Sequence, residues 1–312
     1  MVQPDSGNFV RVLTWPAADD GIHAEGGLRC RGLYKTVSGN DNRPLITVII
    51  AVRNGARHLE EALLSVLNQS YDRLELVVID GGSDDESVDI IRRYEQGIDY
   101  WLSQPDGGVY EAFNKGVCLA TGDWVCVLGA DDHIAFEGTM TRMAAELANC
   151  ADTVLLAYGD VAMVANDAER LCVIAPAWLE AKSKLKHSMS LPYPGLMHRR
   201  AWFDKYSLYD TAYRMAGDYE MLLRGWPDED AMHVVGVLVV NMRTGGMSNS
   251  STLAELSEKE MRRAQCRHGI SFTLKERCAK AARNFVHRLL QHMFGDDVIW
   301  RIHSARHRRS SG

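Results

Sequence analysis

Two adjacent carboxylates, Asp131 and Asp132, follow a run of apolar residues that ends at Leu128. Paired oxygen ligands suit a hard divalent cation such as Mg²⁺ or Mn²⁺, which keeps coordination positions open for phosphate oxygens. The small residues Gly129 and Ala130 would let a ligand approach the backbone. Aspartate is also common in solvated turns at strand ends, and the dipeptide alone is more typical of such a turn than of a metal site.

Three further carboxylates stand where a predicted element begins or ends. Asp80 is followed by Gly81-Gly82, which permits a close approach, so its carboxylate could accept a hydrogen bond from a nucleotide base or a ribose hydroxyl. The alternative for Asp80 is an Asx turn that caps the next helix. Asp106 precedes another glycine pair, and Asp218 lies at the start of a predicted helix, where a negative charge is favourable without any catalytic role.

An alternation of apolar runs and helical patterns must position these carboxylates. Strands are predicted at Leu45 to Val52, Leu74 to Ile79, Asp99 to Leu102 and Asp123 to Leu128, with helices from Arg57 to Gln69, around Val88 to Tyr94, and from Val109 to Ala120. This spacing is typical of a doubly wound parallel sheet, in which ligands bind beyond the carboxyl ends of the strands. The rule groups Arg53-Asn54, Asp80, Asp106 and Asp131-Asp132 at one edge of the sheet.

The regular alternation ends near residue 150. Strands are predicted at 153–158, 171–174 and 232–240, a helix over 217–224, and mostly helix beyond residue 250. Residues 1–43 are rich in Gly, Asp and Asn and have no sustained period, so they are predicted to be an extension of uncertain order. The chain is therefore divided into this extension, an α/β domain over 44–250 and a helical, basic extension over 251–312.

Composition excludes several protein classes. The chain of 312 residues has 46% hydrophobic and 24% charged residues, which is ordinary for a globular protein and excludes a disordered or collagen-like chain. Its longest apolar runs are far shorter than the ~20 residues of a spanning helix. The net charge of −6 does not indicate a nucleic-acid binder. No GxGxxG follows the first strand and no GxxxxGK[ST] occurs, so binding of NAD or ATP in those modes is not expected.

The cysteines and the N-terminal residues indicate where in the cell the protein is located. Seven cysteines, an odd number without a C-x-x-C pair and several inside apolar stretches, favour buried free thiols in a reducing environment. The first fifteen residues, MVQPDSGNFVRVLTW, contain no apolar signal core. The sequence therefore predicts a cytoplasmic location, with an additional position at the inner face of a membrane if the acceptor is lipid-linked.

Taken together, the segments resemble glycosyltransferase family 2 with the GT-A fold. The matching stretches are Ile46–Asn54, Ser65–Tyr71, Leu76–Ser83, Pro105–Gly116, Ala120–Trp124, Asp131-Asp132, Met197–Arg200, Ala216–Glu220 and Gly245–Ser248. The stretch that begins at Pro105 is similar to the D-x-G-[IV]-Y-D-A-M-N-K-G segment of the family. Each piece alone is weak, but the ordered set is specific and covers about residues 44–250.

The resemblance implies an α/β GT-A fold: a Rossmann-like, mostly parallel central sheet with flanking helices. It also implies an inverting transfer from a nucleotide-diphospho-sugar donor to a saccharide or lipid-linked acceptor, in cell-surface polysaccharide or glycolipid synthesis. Carried over to this sequence, Asp218 would be the general base, and Asp132 would bind Mg²⁺ or Mn²⁺ directly, with Asp131 beside it. The implied donor-binding residues are Ala51, Arg53, Asp80, Asp106, Asn114, Asp131 and Arg243.

Some positions keep a second interpretation. Arg243 could meet the diphosphate, or it could be a plain surface arginine, and Asn114 could lie on a solvated helix face. Family members often have Asn or Ser where this chain has Ala130, and His-Gln where it has Tyr193-Pro194. Because of the second difference, acceptor contacts of the family are not carried over to the region around Tyr193. Two other functions are considered: a nucleotide-sugar-binding subunit without turnover, and a nucleotidyltransferase, which would need a Gly-rich loop after the first strand.

The C-terminal segment carries a charge opposite to that of the remaining chain. Lys275 to Arg309 contains nine Lys and Arg against three Asp and Glu, a net +6, so the rest of the −6 chain carries −12. Residues 272–294 also place apolar side chains near one helical face. These features predict peripheral contact with anionic membrane through 272–309. The alternative is an amphipathic helix packed on the acidic body.

Overall fold

The computed structural model describes residues 24–35, 42–165, 170–244 and 251–273. The strands in these ranges are β1 (Ala24–Gly26), β2 (Ile46–Val52), β3 (Leu74–Asp80), β4 (Tyr100–Ser103), β5 (Trp124–Gly129), β6 (His133–Ile134), β7 (Leu156–Val164), β8 (Arg170–Ile174), β9 (Met197–Arg199) and β10 (Ala231–Arg243). The α-helices are α1 (Ala56–Leu67), α2 (Ser87–Tyr94), α3 (Val109–Leu119), α4 (Thr139–Leu147), α5 (Trp178–Leu185), α6 (Arg200–Tyr206), α7 (Gly217–Gly225) and α8 (Ser251–Arg267).

Within these ranges the ten strands form one sheet in the order β1-β4-β3-β2-β5-β9-β7-β10-β6, and β8 pairs with β7. The neighbours β4, β3, β2 and β5 are parallel to one another, and β10 is parallel to β7. Short antiparallel strands lie between and beside them: β9 separates β5 from β7, while β1 and β6 occupy the ends. The predicted mostly parallel sheet with flanking helices is confirmed.

Two apolar cores lie on opposite faces of this sheet, and β2 is buried between them. Ile46, Val48 and Ile50 point into a core that includes residues of α1, α2 and α4. Ile49 points into the other core, which includes residues of α3, α5, α6 and α7. This double burial explains why the β-branched run of β2 has no apolar–polar alternation.

Residues 24–35, predicted as part of an extension of uncertain order, pair with the sheet. β1 is an antiparallel edge strand on β4, with Glu25 opposite Leu102. Two cations that follow β1 meet carboxylates buried in or beside the sheet. Arg29 pairs with Glu75, and the Lys35 Nζ atom lies 2.9 Å from a carboxylate oxygen of Asp99. This part of the N-terminal extension therefore stabilises the domain that the sequence places at 44–250.

Several sequence-based predictions concern residues outside the described ranges. They include the Gly245–Ser248 loop and nearly all of the basic segment from 272 to 309. Among the residues that are described, six cysteines are free: Cys118 and Cys126 are buried as predicted, whereas Cys30 and Cys266 are exposed. No helix in the same part of the chain is long and apolar enough to cross a membrane.

Candidate active site

The carboxyl ends of four parallel strands bring most of the predicted site residues to one edge of the sheet. Ala51 on β2 is in register with Ile79 on β3 and Gly129 on β5, and Asp80 is in register with Ser103 on β4. The loops that follow these strands carry Arg53, Asp106 and the Asp131-Asp132 pair. Their meeting follows from the parallel topology, as the strand-end rule predicts.

Asp80 is fully buried and its carboxylate is part of the turn that follows β3. Its Oδ2 atom accepts hydrogen bonds from the Gly82 N–H at 3.1 Å, the Ser83 N–H at 3.0 Å and the Ser103 hydroxyl at 2.7 Å. The Asx turn considered from the sequence is therefore present, but it does not cap the next helix, because α2 begins only at Ser87 and its N-cap residue is Glu86. A contact between Asp80 and a nucleoside stays a prediction.

Asp106 lies against the backbone of the same turn because residue 81 has no side chain. A Cβ atom on Gly81 would come within 2.6 Å of the Asp106 Oδ2 atom. The other carboxylate oxygen of Asp106 accepts the Gly108 N–H at 3.0 Å. Burial raises the pKa of Asp106, and the nearby charges of Lys115 and Arg53 oppose that rise. The structure thus brings Asp80, Asp106 and Arg53 to one side of the edge.

Asp132 occupies a buried position at the end of β5. Its Oδ1 atom accepts the backbone N–H of Arg243 at 3.0 Å, and no side-chain cation contacts its carboxylate within the described residues. Burial, followed by the neighbouring charge of Asp131, raises the pKa of Asp132 to about 8. The nearby charge of Arg243 opposes this rise only in part, and a divalent cation would complement the negative charge that remains on these oxygen ligands. The donor set therefore fits Mg²⁺ or Mn²⁺.

No group of three or more His, Cys, Asp or Glu side chains with metal-binding geometry occurs in the described ranges. A cation held by Asp131 and Asp132 would therefore need further oxygen ligands. Mg²⁺ sites commonly combine one or two carboxylates with substrate phosphates and water. Asp131 and Asp132 could supply the carboxylates of such a Mg²⁺ site, and substrate phosphates and water would supply its other ligands.

Arg243 ends β10 beside Asp132 and is buried, so it is not the plain surface residue that the sequence left open. Its guanidinium pairs with Glu61 on α1. The Arg243 Nε atom is buried and has no hydrogen-bond partner among the residues the structure describes. His133 lies nearby, with its Nδ1 atom 3.5 Å from Glu61 and its Nε2 atom 3.1 Å from the Asn241 side chain. Glu61 was missed from the sequence because nothing distinguishes it from the other polar residues of α1.

Asp218 lies in the first turn of α7, where it is partly buried. Its Oδ1 atom accepts the Tyr110 hydroxyl at 3.1 Å and the Tyr219 N–H at 2.8 Å. Burial is the main cause that raises the pKa of Asp218 to about 6. Gly217 makes this contact possible, since a Cβ atom there would lie 2.8 Å from the Tyr110 ring. A carboxyl group with a pKa near neutrality is suited to general-base catalysis.

An aromatic cluster supports Asp218 from below. The ring of Tyr110 stacks on that of Tyr209, with centroids 5.8 Å apart. The Tyr209 and Tyr193 hydroxyl oxygens are 2.6 Å apart, and Tyr193 is buried. Asn114, which the resemblance assigns to donor binding, is also buried, and its amide exchanges two hydrogen bonds with the backbone of Tyr209. Both groups of the Asn114 amide are therefore used inside the fold, and the solvated helix face considered for it is wrong.

The chain is similar to known proteins over this region. The profile of the family described as glycosyl transferase family 2 matches residues 47–207. A PGL/p-HBAD biosynthesis glycosyltransferase of Mycobacterium bovis is 32% identical over 216 residues, which cover 66% of this chain and 80% of that protein. An uncharacterized glycosyltransferase of Mycobacterium tuberculosis is 30% identical over 183 residues, covering 58% of this chain and 68% of that one.

Solved structures with the same architecture are more distant in sequence. S. aureus TarS 1-349 superposes with a TM-score of 0.57 at 16% identity, covering 73% of this chain and 66% of that chain. The mannosyltransferase PcManGT from Pyrobaculum calidifontis, in complex with GDP-Man and Mn²⁺, gives a TM-score of 0.51 at 17% identity, covering 88% and 87%. At these identities the likeness concerns the fold.

Proposed function

The chain belongs to glycosyltransferase family 2, and we propose that it transfers a sugar, with inversion, from a nucleoside-diphosphate sugar to a hydroxyl group of a saccharide or lipid-linked acceptor. Family membership and the GT-A fold agree with the sequence-based prediction. The donor, the acceptor, the inversion and the roles of single residues are the proposal. Its setting is cell-surface polysaccharide or glycolipid synthesis.

One observation carries the proposal: the Asp131-Asp132 pair lies at the carboxyl end of β5, where the Asp132 carboxylate contacts a backbone N–H but no side-chain cation of the described residues. The leaving group of the reaction is a nucleoside diphosphate, whose charge grows as the glycosidic bond breaks. A divalent cation held by Asp132 and Asp131 would supply positive charge to that leaving group. Arg243, adjacent to Asp132, would add a fixed positive charge.

Asp218 is proposed to accept the proton of the attacking hydroxyl. The oxygen of the acceptor attacks the anomeric carbon from the face opposite the leaving group, which inverts the configuration. The Tyr110 hydroxyl holds the Asp218 carboxylate, and the pKa of about 6 leaves most of this group ionised at neutral pH while it stays basic enough to take a proton. No covalent sugar–enzyme intermediate is needed.

Relatives support the class of donor and acceptor. TarS 1-349 has been solved in complex with UDP-GlcNAc and with UDP, and PcManGT with GDP-Man and Mn²⁺. The relative from Mycobacterium bovis is a PGL/p-HBAD biosynthesis glycosyltransferase. A nucleoside-diphosphate donor and a divalent cation are therefore supported, whereas the sugar and the base are left to experiment.

The test is release of nucleoside diphosphate from a panel of nucleotide sugars, beginning with UDP-GlcNAc and GDP-mannose, in Mn²⁺, in Mg²⁺ and in EDTA. We expect release from at least one donor that depends on the cation and is lost in Asp132→Asn. The matched control is Asp152→Asn, which removes a carboxylate that is fully exposed. Near-normal turnover of Asp132→Asn at saturating Mn²⁺ would contradict the metal assignment, and donor binding without any release would favour a binding subunit.

A further inference from the structure

Helix α8 is docked on the segment that leads into Asp218. The side-chain amide of Gln265 donates to the Tyr219 hydroxyl at 3.0 Å, and the His268 Nε2 atom lies 2.9 Å from a carboxylate oxygen of Glu220. Arg267 pairs with Asp210 at 2.5 Å. These contacts tie both ends of the 210–220 segment to one helix.

Glu260, in the middle of α8, contacts the backbone just before Asp218. Its two carboxylate oxygens accept three consecutive backbone N–H groups, from Arg214 at 2.9 Å, Met215 at 2.7 Å and Ala216 at 2.9 Å. Only 6% of Glu260 is exposed, and no side-chain cation pairs with it in the described part of the chain. A carboxylate without a cationic partner is therefore held just before α7, with its last contact two residues before Asp218.

This placement is favourable to the fold. Three N–H groups of the turn before α7, the last of them at the N-cap residue Ala216, are satisfied by the carboxylate, and a negative charge near a helix N-terminus is favourable. A buried glutamine could satisfy fewer of the three N–H groups, because one of its terminal atoms is itself a donor. The negative charge, however, also acts on the carboxyl group of Asp218.

We propose that Glu260 is a positioning residue for Asp218: its carboxylate fixes the backbone that presents the base and holds a second negative charge two residues before it. This inference rests on the proposed role of Asp218 as general base. Burial is the largest cause of the raised pKa of Asp218, and the charge of Glu260 adds to it. Among the causes that act on this pKa, the charge of Glu260 is the smallest. A base with a raised pKa takes the acceptor proton more readily than an ordinary aspartate.

Few other ionisable groups face Asp218 in the described ranges. The Tyr110 hydroxyl, from α3, donates to Asp218 and opposes the rise of its pKa. Burial, which is the largest cause, and the charge of Asp218 both raise the pKa of the Tyr193 and Tyr209 hydroxyls, so both stay neutral. Glu260 is therefore the group on α8 whose charge can be changed with a predictable sign.

The experiment is a titration of the Asp218 carboxyl carbon by NMR in protein labelled with ¹³C-aspartate, with the signal assigned by its loss in Asp218→Asn. We expect the pKa of Asp218 to fall in Glu260→Gln by about half a pH unit or more, since removing a nearby like charge favours ionisation. Glu255→Gln, on an exposed position of the same helix, is the matched control and should leave the titration unchanged. Tyr110→Phe removes a donor to the carboxylate and should shift the pKa upward.

A purely structural role for Glu260 gives a different pattern. It predicts a lower melting temperature for Glu260→Gln with an unchanged pKa of Asp218, and that result overturns the inference. If Glu260→Gln does not fold, Glu260→Asp withdraws the carboxylate by one methylene group and still has to lower the pKa of Asp218. An unchanged titration in Glu260→Asp then overturns the inference.

Turnover separates this inference from the proposed function. If Asp218→Asn keeps full nucleoside diphosphate release, the base assignment fails, although the titration still reports how Glu260 acts on Asp218. If Asp218→Asn is inactive while Glu260→Gln changes neither the titration nor the turnover, only the inference about Glu260 fails. If both hold, Asp218→Asn/Glu260→Gln should be no less active than Asp218→Asn, because Glu260 acts through Asp218.

Discussion

Single carboxylates in this protein differ in how their charge is compensated. Glu75 is fully buried and meets the cation Arg29, whereas Asp132 and Asp218 are left with backbone and hydroxyl donors. The pKa is accordingly raised to about 8 for Asp132 and to about 6 for Asp218, with burial as the main cause in both cases. Asp80 and Glu260 are also buried without a paired side-chain cation in the described ranges, so the roles proposed for Asp132 and Asp218 depend on their positions after β5 and at the start of α7.

Asp218→Asn should leave donor affinity almost intact while turnover falls by on the order of 10²-fold or more, because a base acts on the acceptor and not on the donor. In the wild type, turnover should rise with pH through about 6, since only the ionised carboxylate accepts a proton. The measurement is donor binding by calorimetry beside a pH–rate profile. A collapse of donor affinity in Asp218→Asn would assign this residue to the donor site or to the fold.

Gly81→Ala should weaken donor binding more than it lowers stability. The new Cβ atom would come within 2.6 Å of the Asp106 carboxylate, which would have to move away from the turn after β3. We expect a higher KM for the donor with a smaller change in kcat. Gly138→Ala is the control, because a Cβ atom there meets no atom within 4 Å. An unchanged KM in Gly81→Ala would mean that Asp106 is not needed in its present position.

Among the elements, the sequence predicts best those with a strong apolar period. The β-branched run of β2 and the strands β3, β4 and β5 lie within one or two residues of their predicted bounds, and their polar ends meet as the topology requires. The strands β1 and β9, each of three residues, are too short to show any period. They are held in place by pairing with β4, β5 and β7, which is a tertiary property.

The role of α8 could not be predicted from local pattern either. Its many charged residues are typical of a solvated helix, and Glu260 differs from Glu255 and Glu258 only in the surface that it faces. Asn114 also shows the limit of local pattern. The resemblance assigns it to donor binding, which stays a prediction, and nothing in the local sequence indicates that its amide holds the backbone of Tyr209. Spacing locates such residues on an element, but the packing of distant segments decides what they touch.

Arg29→Met should destabilise the protein by about 3 kcal/mol, because it removes the cation from a buried ion pair. Glu75 would keep the Thr47 hydroxyl at 2.6 Å and the Thr121 N–H at 2.8 Å, but its charge would lose its partner. Urea denaturation measures the difference. Arg31→Met, which alters an exposed arginine two residues away, is the control and should change the free energy of unfolding little. Equal stability of the two variants would show that the N-terminal segment does not contribute through Arg29.

At the scale of the whole molecule, charge is divided along the chain. The segment from Lys275 to Arg309 carries +6 and the rest carries −12. The proposed diphosphate site would need local cations to offset its carboxylates, and those proposed for it are Arg53, Arg243 and a bound metal ion. The basic segment lies beyond the residues that the structure describes, so its contact with anionic membrane stays a prediction.

Full-length protein should float with vesicles that contain anionic lipid and not with neutral vesicles, since each basic residue near such a surface contributes about 1 kcal/mol. Binding should weaken as salt rises, because exposed charges are screened beyond a Debye length of about 8 Å at physiological ionic strength. A chain truncated after Thr273 should stay in solution and still release nucleoside diphosphate, because every residue assigned to the site precedes the cut. Equal flotation with both vesicle types, or none with either, would end the membrane hypothesis, and loss of stability on truncation would favour a segment packed on the acidic body.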